Sequence, residues 1–321
     1  MTADEAPRDY IIIHLSPGSD EWPGLLAQFA LYQTAREGKA FASWACERLM
    51  RMTAKYEGVV ALAGGKLLGI VLIEVVDRTA EFTLPWTLPQ ASEIARSLVL
   101  AAVQVVREAY PAAQCLRVER QLLPGDMPTA GLEAAGFDCY WRLRMQLELA
   151  GWWEEVVAPH EYKLAPWHIR FLDAAAKVIF AANEGTLDAV LYAPFFGTSP
   201  QQCRRGLLAI LAGSYGPIVP QATLCALCGK QLVGVNLVIR SDTGQASVVE
   251  ISVDPALQGK GVGRALMVRS LRELKHARFE RVELAVTCDN THARQLYDSL
   301  GFAAISEFPV CVWPRTLSPD S

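Results

Sequence analysis

Residues 257–266 read LQGKGVGRAL: glycines at 259, 261 and 263, a lysine at 260, an arginine at 264, then a run that turns helical. The stretch before it, SVVEISVDP (247–255), is an apolar strand closed by Asp-Pro, so the glycines occupy a strand-to-helix turn. At such a turn successive N–H groups point outward, and the helix start adds partial positive charge. Glycine lets the chain fold tightly and lets a diphosphate approach with no Cβ in the way. Lys260 and Arg264 bring charge to the same anion. Two other glycine loops are excluded: Gly259-Lys260 is followed by Gly261 rather than Ser or Thr, and the G-x-G-x-x-G spacing is absent. What remains is Q-x-x-G-x-G on Gln258, Gly261 and Gly263, which by itself also describes a plain helix-start turn.

The residues that follow narrow the choice. GRALMVRSLRELKHA (263–277) places Leu266, Met267, Leu271 and Leu274 at helical spacing, with arginines and Glu273 on the other face. VELAVT (282–287) reads as a buried strand, and a strand–helix–strand series implies a parallel pair. CDNTHARQLYDSLGF (288–302) puts Asn290 at the end of that strand, Tyr297 on a short helix and Gly301-Phe302 at its close. In this order the residues closely resemble the GNAT family of acyl-CoA-dependent N-acyltransferases. The motif-bearing resemblance covers about residues 215–310, and the preceding hairpin and helices extend it back to about 165.

The chain also repeats itself. VVALAGGKLLGIVL (59–72) resembles TLCALCGKQLVGVNL (223–237), each a hairpin turning at Gly-Lys, and EAAGFDCYWRL (133–143) resembles DSLGFAAISEF (298–308). Gly69 to Gly234 and Gly136 to Gly301 are both offsets of 165, which argues for duplication. The halves meet in GWWEEVVAPHEYKLAPW (151–167), near residues 150–162. The expected fold is α/β: two tandem GNAT-like modules, each a mixed, mostly antiparallel sheet with one splayed parallel strand pair and flanking helices. Residues 1–150 would form a degenerate module without the coenzyme A motif, and 160–321 the module with the acetyl-CoA site. Length agrees, since domains average roughly 150 residues.

The resemblance implies specific roles. Ile251 and Val253 pair through their backbones with the pantetheine arm, and the Val253 N–H is placed to polarise the thioester carbonyl. Gln258, Gly259, Lys260, Gly261, Val262, Gly263 and Arg264 bind the pyrophosphate, and Asn290 bonds the cofactor arm. Tyr297 matches the general acid that protonates the leaving thiolate; on spacing alone it is a core tyrosine, sharing a helix surface with Ala293, Leu296 and Leu300. Glu250 is the candidate base that deprotonates the attacking amine; its other reading is a solvent-facing strand carboxylate. His292, His276 and His168 suit no role, and no metal is implied. Subtracting 165 sends Gln258 to Glu93, Gly261 to Arg96, Gly263 to Leu98, Asn290 to Gly125, Tyr297 to Leu132 and Glu250 to Pro85. Every chemical position is lost, and LPQASEIARSLVL (88–100) holds no glycine.

The function implied is transfer of an acetyl group from acetyl-CoA to a primary amine, with a small-molecule amine or peptide N-terminus as acceptor. A non-catalytic acyl-CoA sensor or scaffold is the alternative. Tyr192, Phe195 and Phe196, beside Pro194 and Gly197, read either as a lid over the acceptor or as a plug between the halves. Trp313 reads as a cleft, core or interface residue.

Composition is consistent with this reading. Of 321 residues 51% are hydrophobic and 20% charged, enough to bury substantial cores. A net charge of −4 argues against non-specific nucleic-acid binding. The longest apolar runs, GIVLIEVV and LVLAAVQVV, fall short of the ~18–20 residues a membrane span needs. With no visible targeting segment, the chain reads as soluble and cytoplasmic. Its 8 cysteines read as reduced and structural. Cys225 and Cys228, three apart on a strand, point to opposite faces and lack a second pair for zinc.

Overall fold

The computed structural model describes residues 9–76, 79–88, 92–113, 115–119, 132–133, 136–157, 159, 161–192, 199–241 and 243–313. They form a mixed α/β fold that divides into two compact units. One contains Met1–Tyr140 and Pro309–Ser318, the other Trp141–Phe308. No helix among the described residues is long and apolar enough to cross a membrane.

The first unit begins with β1 (Ile11–Leu15), α1 (Trp22–Glu37) and α2 (Lys39–Thr53). The hairpin β2 (Glu57–Ala63) and β3 (Lys66–Val76) leads to β4 (Thr79–Thr87), α3 (Ser92–Ala109) and β5 (Cys115–Glu119). β4 and β5 pair in parallel from Thr79↔Cys115 to Thr83↔Glu119, and the other pairs are antiparallel. The last strand of this sheet comes from the far end of the chain: Val310–Trp313 of β12 (Ala303–Trp313) pair with Leu116–Glu119.

The second unit receives the complementary strand. β6 (Asp138–Glu148) pairs antiparallel with β11 (Arg281–Thr287), and the order continues β10 (Ala246–Val253), β9 (Gln231–Arg240), β8 (Leu224–Cys228), β7 (Tyr162–Pro166). Helices α4 (Leu172–Asn183), α5 (Leu187–Leu191) and α6 (Pro200–Leu211) precede the hairpin; α7 (Val262–His276) and α8 (Thr291–Ser299) follow β10 and β11. β9 is an almost unbroken apolar run because both its faces are covered: Val235, Leu237 and Ile239 pack with α4 and α6, while Val238 packs with α7. Leu266, Met267, Leu271 and Leu274 are the buried face of α7, as their spacing predicts.

Each half was expected to close its own sheet; instead the final strands are exchanged, β12 pairing with β5 and β6 with β11. Compact packing accordingly divides at 140/141 and 308/309. The landmark glycines have physical reasons in both halves. A Cβ on Gly69 would stand 2.7 Å from Leu98 and 2.8 Å from the Trp86 carbonyl, and one on Gly234 would stand 3.1 Å from Leu266. Both therefore let the long helix lie close on the hairpin. Gly136 and Gly301 adopt φ of 91° and 92°, and Gly301 makes the left-handed turn that ends α8.

Two expectations are corrected. Cys139 and Cys311 form a disulfide, 172 residues apart in sequence and adjacent in the first unit, so the cysteines are not all reduced. The 165 offset also fails between the landmarks: α3 starts at Ser92 and α7 at Val262, a difference of 170. Glu93, Arg96 and Leu98 thus lie inside α3 rather than at its turn, with Leu98 fully buried. Thr83 opposes Leu72 as Glu250 opposes Leu237, so Thr83 rather than Pro85 is the counterpart of Glu250. Gly125 lies outside the described residues.

Candidate active site

β10 and β11 are paired only from Ala246↔Val282 to Val248↔Leu284. β10 then runs on to Val253 and β11 to Thr287 without pairing to each other, which is the splayed gap expected of this fold. The register of β10 on β9 shifts between Val248 and Glu250, a bulge that bends the strand where the gap opens.

Past the gap, the Asp254 carboxylate accepts from the Ala256 N–H at 3.0 Å and starts a short 3-10 turn over Pro255–Leu257. The Gln258 amide donates to the Val253 carbonyl at 3.2 Å, tying the turn to the strand end. Gly259 and Gly261 adopt φ of 73° and 82°, and Gly261 caps α7 in a left-handed conformation. The N–H groups of the first helical turn have no intrahelical acceptor. Among the described residues no heavy atom lies within 4 Å of where a Cβ on Gly259 would sit, and at Gly261 Pro159 alone does, at 3.9 Å. This leaves an open cradle of backbone donors, the fit a diphosphate requires. Gly263 is less demanding: a Cβ there meets Val253 and Leu296 at 3.6 and 3.8 Å, ordinary contact distances. The Val262 side chain is buried, so only its backbone faces outward. Arg264 is committed elsewhere, to Glu154 at 2.8 and 3.0 Å and to Ser299 at 2.6 Å. Lys260 remains exposed.

Glu250 is buried at 6% exposure rather than solvent-facing. Burial raises its pKa to about 7; the Asp188 carboxylate adds to the rise, and a 2.5 Å hydrogen bond from Ser252 opposes it. Ser252 in turn meets the Asn183 amide at 3.5 Å. Tyr297 is also buried, packed against Phe302 with ring centroids 5.9 Å apart. Burial, with the Glu250 and Asp188 charges, pushes its hydroxyl well above the ordinary tyrosine range, so it holds its proton. Asn290 caps α8 through the Ala293 N–H at 3.1 Å and gives its amide to Asp188 at 3.3 Å. Both ends of its side chain are thus engaged within the unit.

Asp188, on α5, is the residue that sequence reasoning missed. It accepts from Arg142 at 3.1 Å, Thr287 at 2.6 Å and Asn290, drawing β6, β11 and the α8 start together. Arg142 also donates to the Ala285 carbonyl at 2.9 Å and lies 4.5 Å over the Tyr192 ring. Among the described residues its Nε finds no acceptor, a burial cost of about 1–3 kcal/mol. Only the Thr186 cap before Leu187-Asp188 hinted at a helix there. Phe195 and Phe196 lie outside the described residues. Trp313 packs against the core of the first unit with Arg107 4.6 Å over its ring. Cys225 is buried with its thiol pushed up to about 12, while Cys228 is exposed, on opposite faces of β8 as expected.

The model of the acetyltransferase (GNAT) family matches residues 207–302. The chain carries a GNAT-family domain. A mycothiol acetyltransferase of Kineococcus radiotolerans is 35% identical over 113 residues, 35% of this chain and 37% of that protein. Another, of Nocardiopsis dassonvillei, is 46% identical over 86 residues, 27% of this chain and 26% of that protein. The chain thus aligns with well under half the length of either relative. In fold, it is similar to a GCN5-related N-acetyltransferase from Sphaerobacter thermophilus, with TM-score 0.68, 14% identity and 94% and 95% of the two chains covered. A tandem GNAT protein from the clavulanic acid pathway gives TM-score 0.60 at 17% identity, covering 97% of this chain and 100% of that one. Within the GNAT domain, Glu250, Tyr297 and Asn290 gather around the splayed strands, and Gln258 to Gly263 form the open turn beside them.

Proposed function

We propose that the GNAT domain transfers an acetyl group from acetyl-CoA to a primary amine of a small molecule or peptide N-terminus. One observation carries the reading: the gap between β10 and β11 opens beside a cradle of free helix-start donors, with Glu250 and Tyr297 at its flanks. Coenzyme A would lie with its diphosphate on the N–H groups of Gly259 to Arg264, beside Gln258, and its arm along Ile251 and Val253. It supplies the activated acyl group.

The chain's own residues handle protons and position. Glu250 takes a proton from the acceptor ammonium, leaving a free amine. The amine nitrogen bonds to the thioester carbonyl carbon, and the carbon–sulfur bond breaks. Tyr297 gives its proton to the departing sulfur and recovers one from the amide nitrogen through solvent. A carboxyl near pH 7 and a hydroxyl that stays protonated suit these two tasks. The side chains of Arg264 and Asn290 act in this reading by fixing α7 and α8 rather than by touching the cofactor. The first unit lacks the glycine turn and is proposed to bind no coenzyme A.

The test is release of free thiol from acetyl-CoA over a panel of amines. A mycothiol-related amine heads it, because the aligned relatives carry that activity in their names. Turnover on any amine supports the proposal. Tight coenzyme A binding with no turnover on the panel favours a sensor or scaffold instead.

A further inference from the structure

We propose that Arg142 and Asp188 are a positioning pair that holds the unpaired end of β11 at the cleft, an inference that rests on the transfer reaction above. The splay creates the need. Cys288 N–H donates to Trp141 and Leu149 N–H donates to Glu280, so the even-numbered residues of β11 are those that hydrogen-bond to β6. Ala285 and Thr287 therefore turn their backbone groups toward β10, which has already departed. Ala285 is an exposed residue whose carbonyl, left without a strand partner, is open to a side-chain donor. Arg142 reaches along the sheet to supply it at Ala285, and its other arm grips Asp188. Asp188 then fastens the Thr287 hydroxyl and the Asn290 amide. The lip of the cleft is thus pinned by one carboxylate from α5 and one guanidinium from β6.

The same carboxylate acts on the chemistry. Glu250 accepts from Ser252 on its own strand, and it is coupled through charge to Asp188 from α5, the Cys203 thiol from α6 and the Tyr297 hydroxyl from α8. Arg142 stands behind Asp188, and Asn183 is neutral. Of the anions in this set, Asp188 is the one whose charge opposes ionisation of Glu250.

Asp188→Asn keeps the shape and removes the charge. The expected result is a kcat lower by roughly 10- to 100-fold, as for a small misplacement of reacting groups, with the acidic limb of the rate profile moved to lower pH. Asp188→Glu should keep the limb near the wild-type position. A kcat within twofold of wild type and an unmoved limb would overturn the inference. If wild type releases no thiol from any amine, the transfer reading has failed. The pair is then judged by a carbon-13 titration of labelled glutamate, with Glu250→Gln assigning the signal: a downward shift in Asp188→Asn sustains it and no shift refutes it. Should Asp188→Asn not fold, Thr287→Val removes the shortest contact to Asp188 and keeps its charge. There kcat should fall with the limb in place, and an unchanged kcat counts against the pair.

Discussion

Burial carries the Glu250 carboxyl from its ordinary 4.5 up to about 7. A carboxyl raised in the folded state favours folding below its ordinary pKa and opposes it as pH climbs through the raised one. Stability is therefore expected to decline from about pH 4.5 to 7 and then level off. Glu250→Gln removes the opposition. Its thermal midpoint should exceed wild type at pH 8, by a free energy on the order of 3 kcal/mol, and approach it at pH 4. Turnover should fall by about 10²–10⁴-fold. Melts and thiol-release rates across pH check both, and an equal gain at pH 4 and 8 would exclude charge as the cause. Gly261 has a different sensitivity, because its φ of 82° disfavours any side chain. Gly261→Val should lose at least about tenfold in coenzyme A affinity by calorimetry, from strain of roughly 1–2 kcal/mol at the cap and a branched side chain over the donors.

At the scale of elements, Gly234 decides how closely α7 approaches the sheet. Gly234→Ala brings a Cβ to 3.1 Å from Leu266 and 3.4 Å from Ala226. It should cost about 1–3 kcal/mol, as overpacking does, read as a lower thermal midpoint. Such elements were legible in the sequence because their causes are local. Asp254-Pro255, the glycine turn and the stripe of Leu266, Met267, Leu271 and Leu274 each fix a conformation within a few residues. Exchange of β6 and β12 was not legible: duplicated strands carry equivalent patterns, and pairing choice lies in contacts more than a hundred residues apart. Asp188 and Arg142 were hidden likewise, 46 residues from each other and carried by no motif. The buried state of Glu250 was hidden because the adjacent Val248 and Val249 pack into different cores, so neither face of β10 is marked as the solvent side.

For the molecule as a whole, the two units predict different capacities. The sequence LPQASEIARSLVL (88–100) leading into α3 holds no glycine, and Leu98 is buried within the helix, so one coenzyme A is expected per chain. Calorimetric stoichiometry checks this, and two equivalents would refute it. Residues 160–321 alone lack β6, hence Arg142 and the neighbour of β11. That fragment is expected to melt without cooperativity, and extending it back to residue 136 should restore a sharp transition. The Cys139–Cys311 link spans nearly all of the second unit's sequence. A protease that nicks the backbone once anywhere between those cysteines would therefore leave both pieces travelling as a single species on a denaturing gel, separating only after a thiol reductant is added.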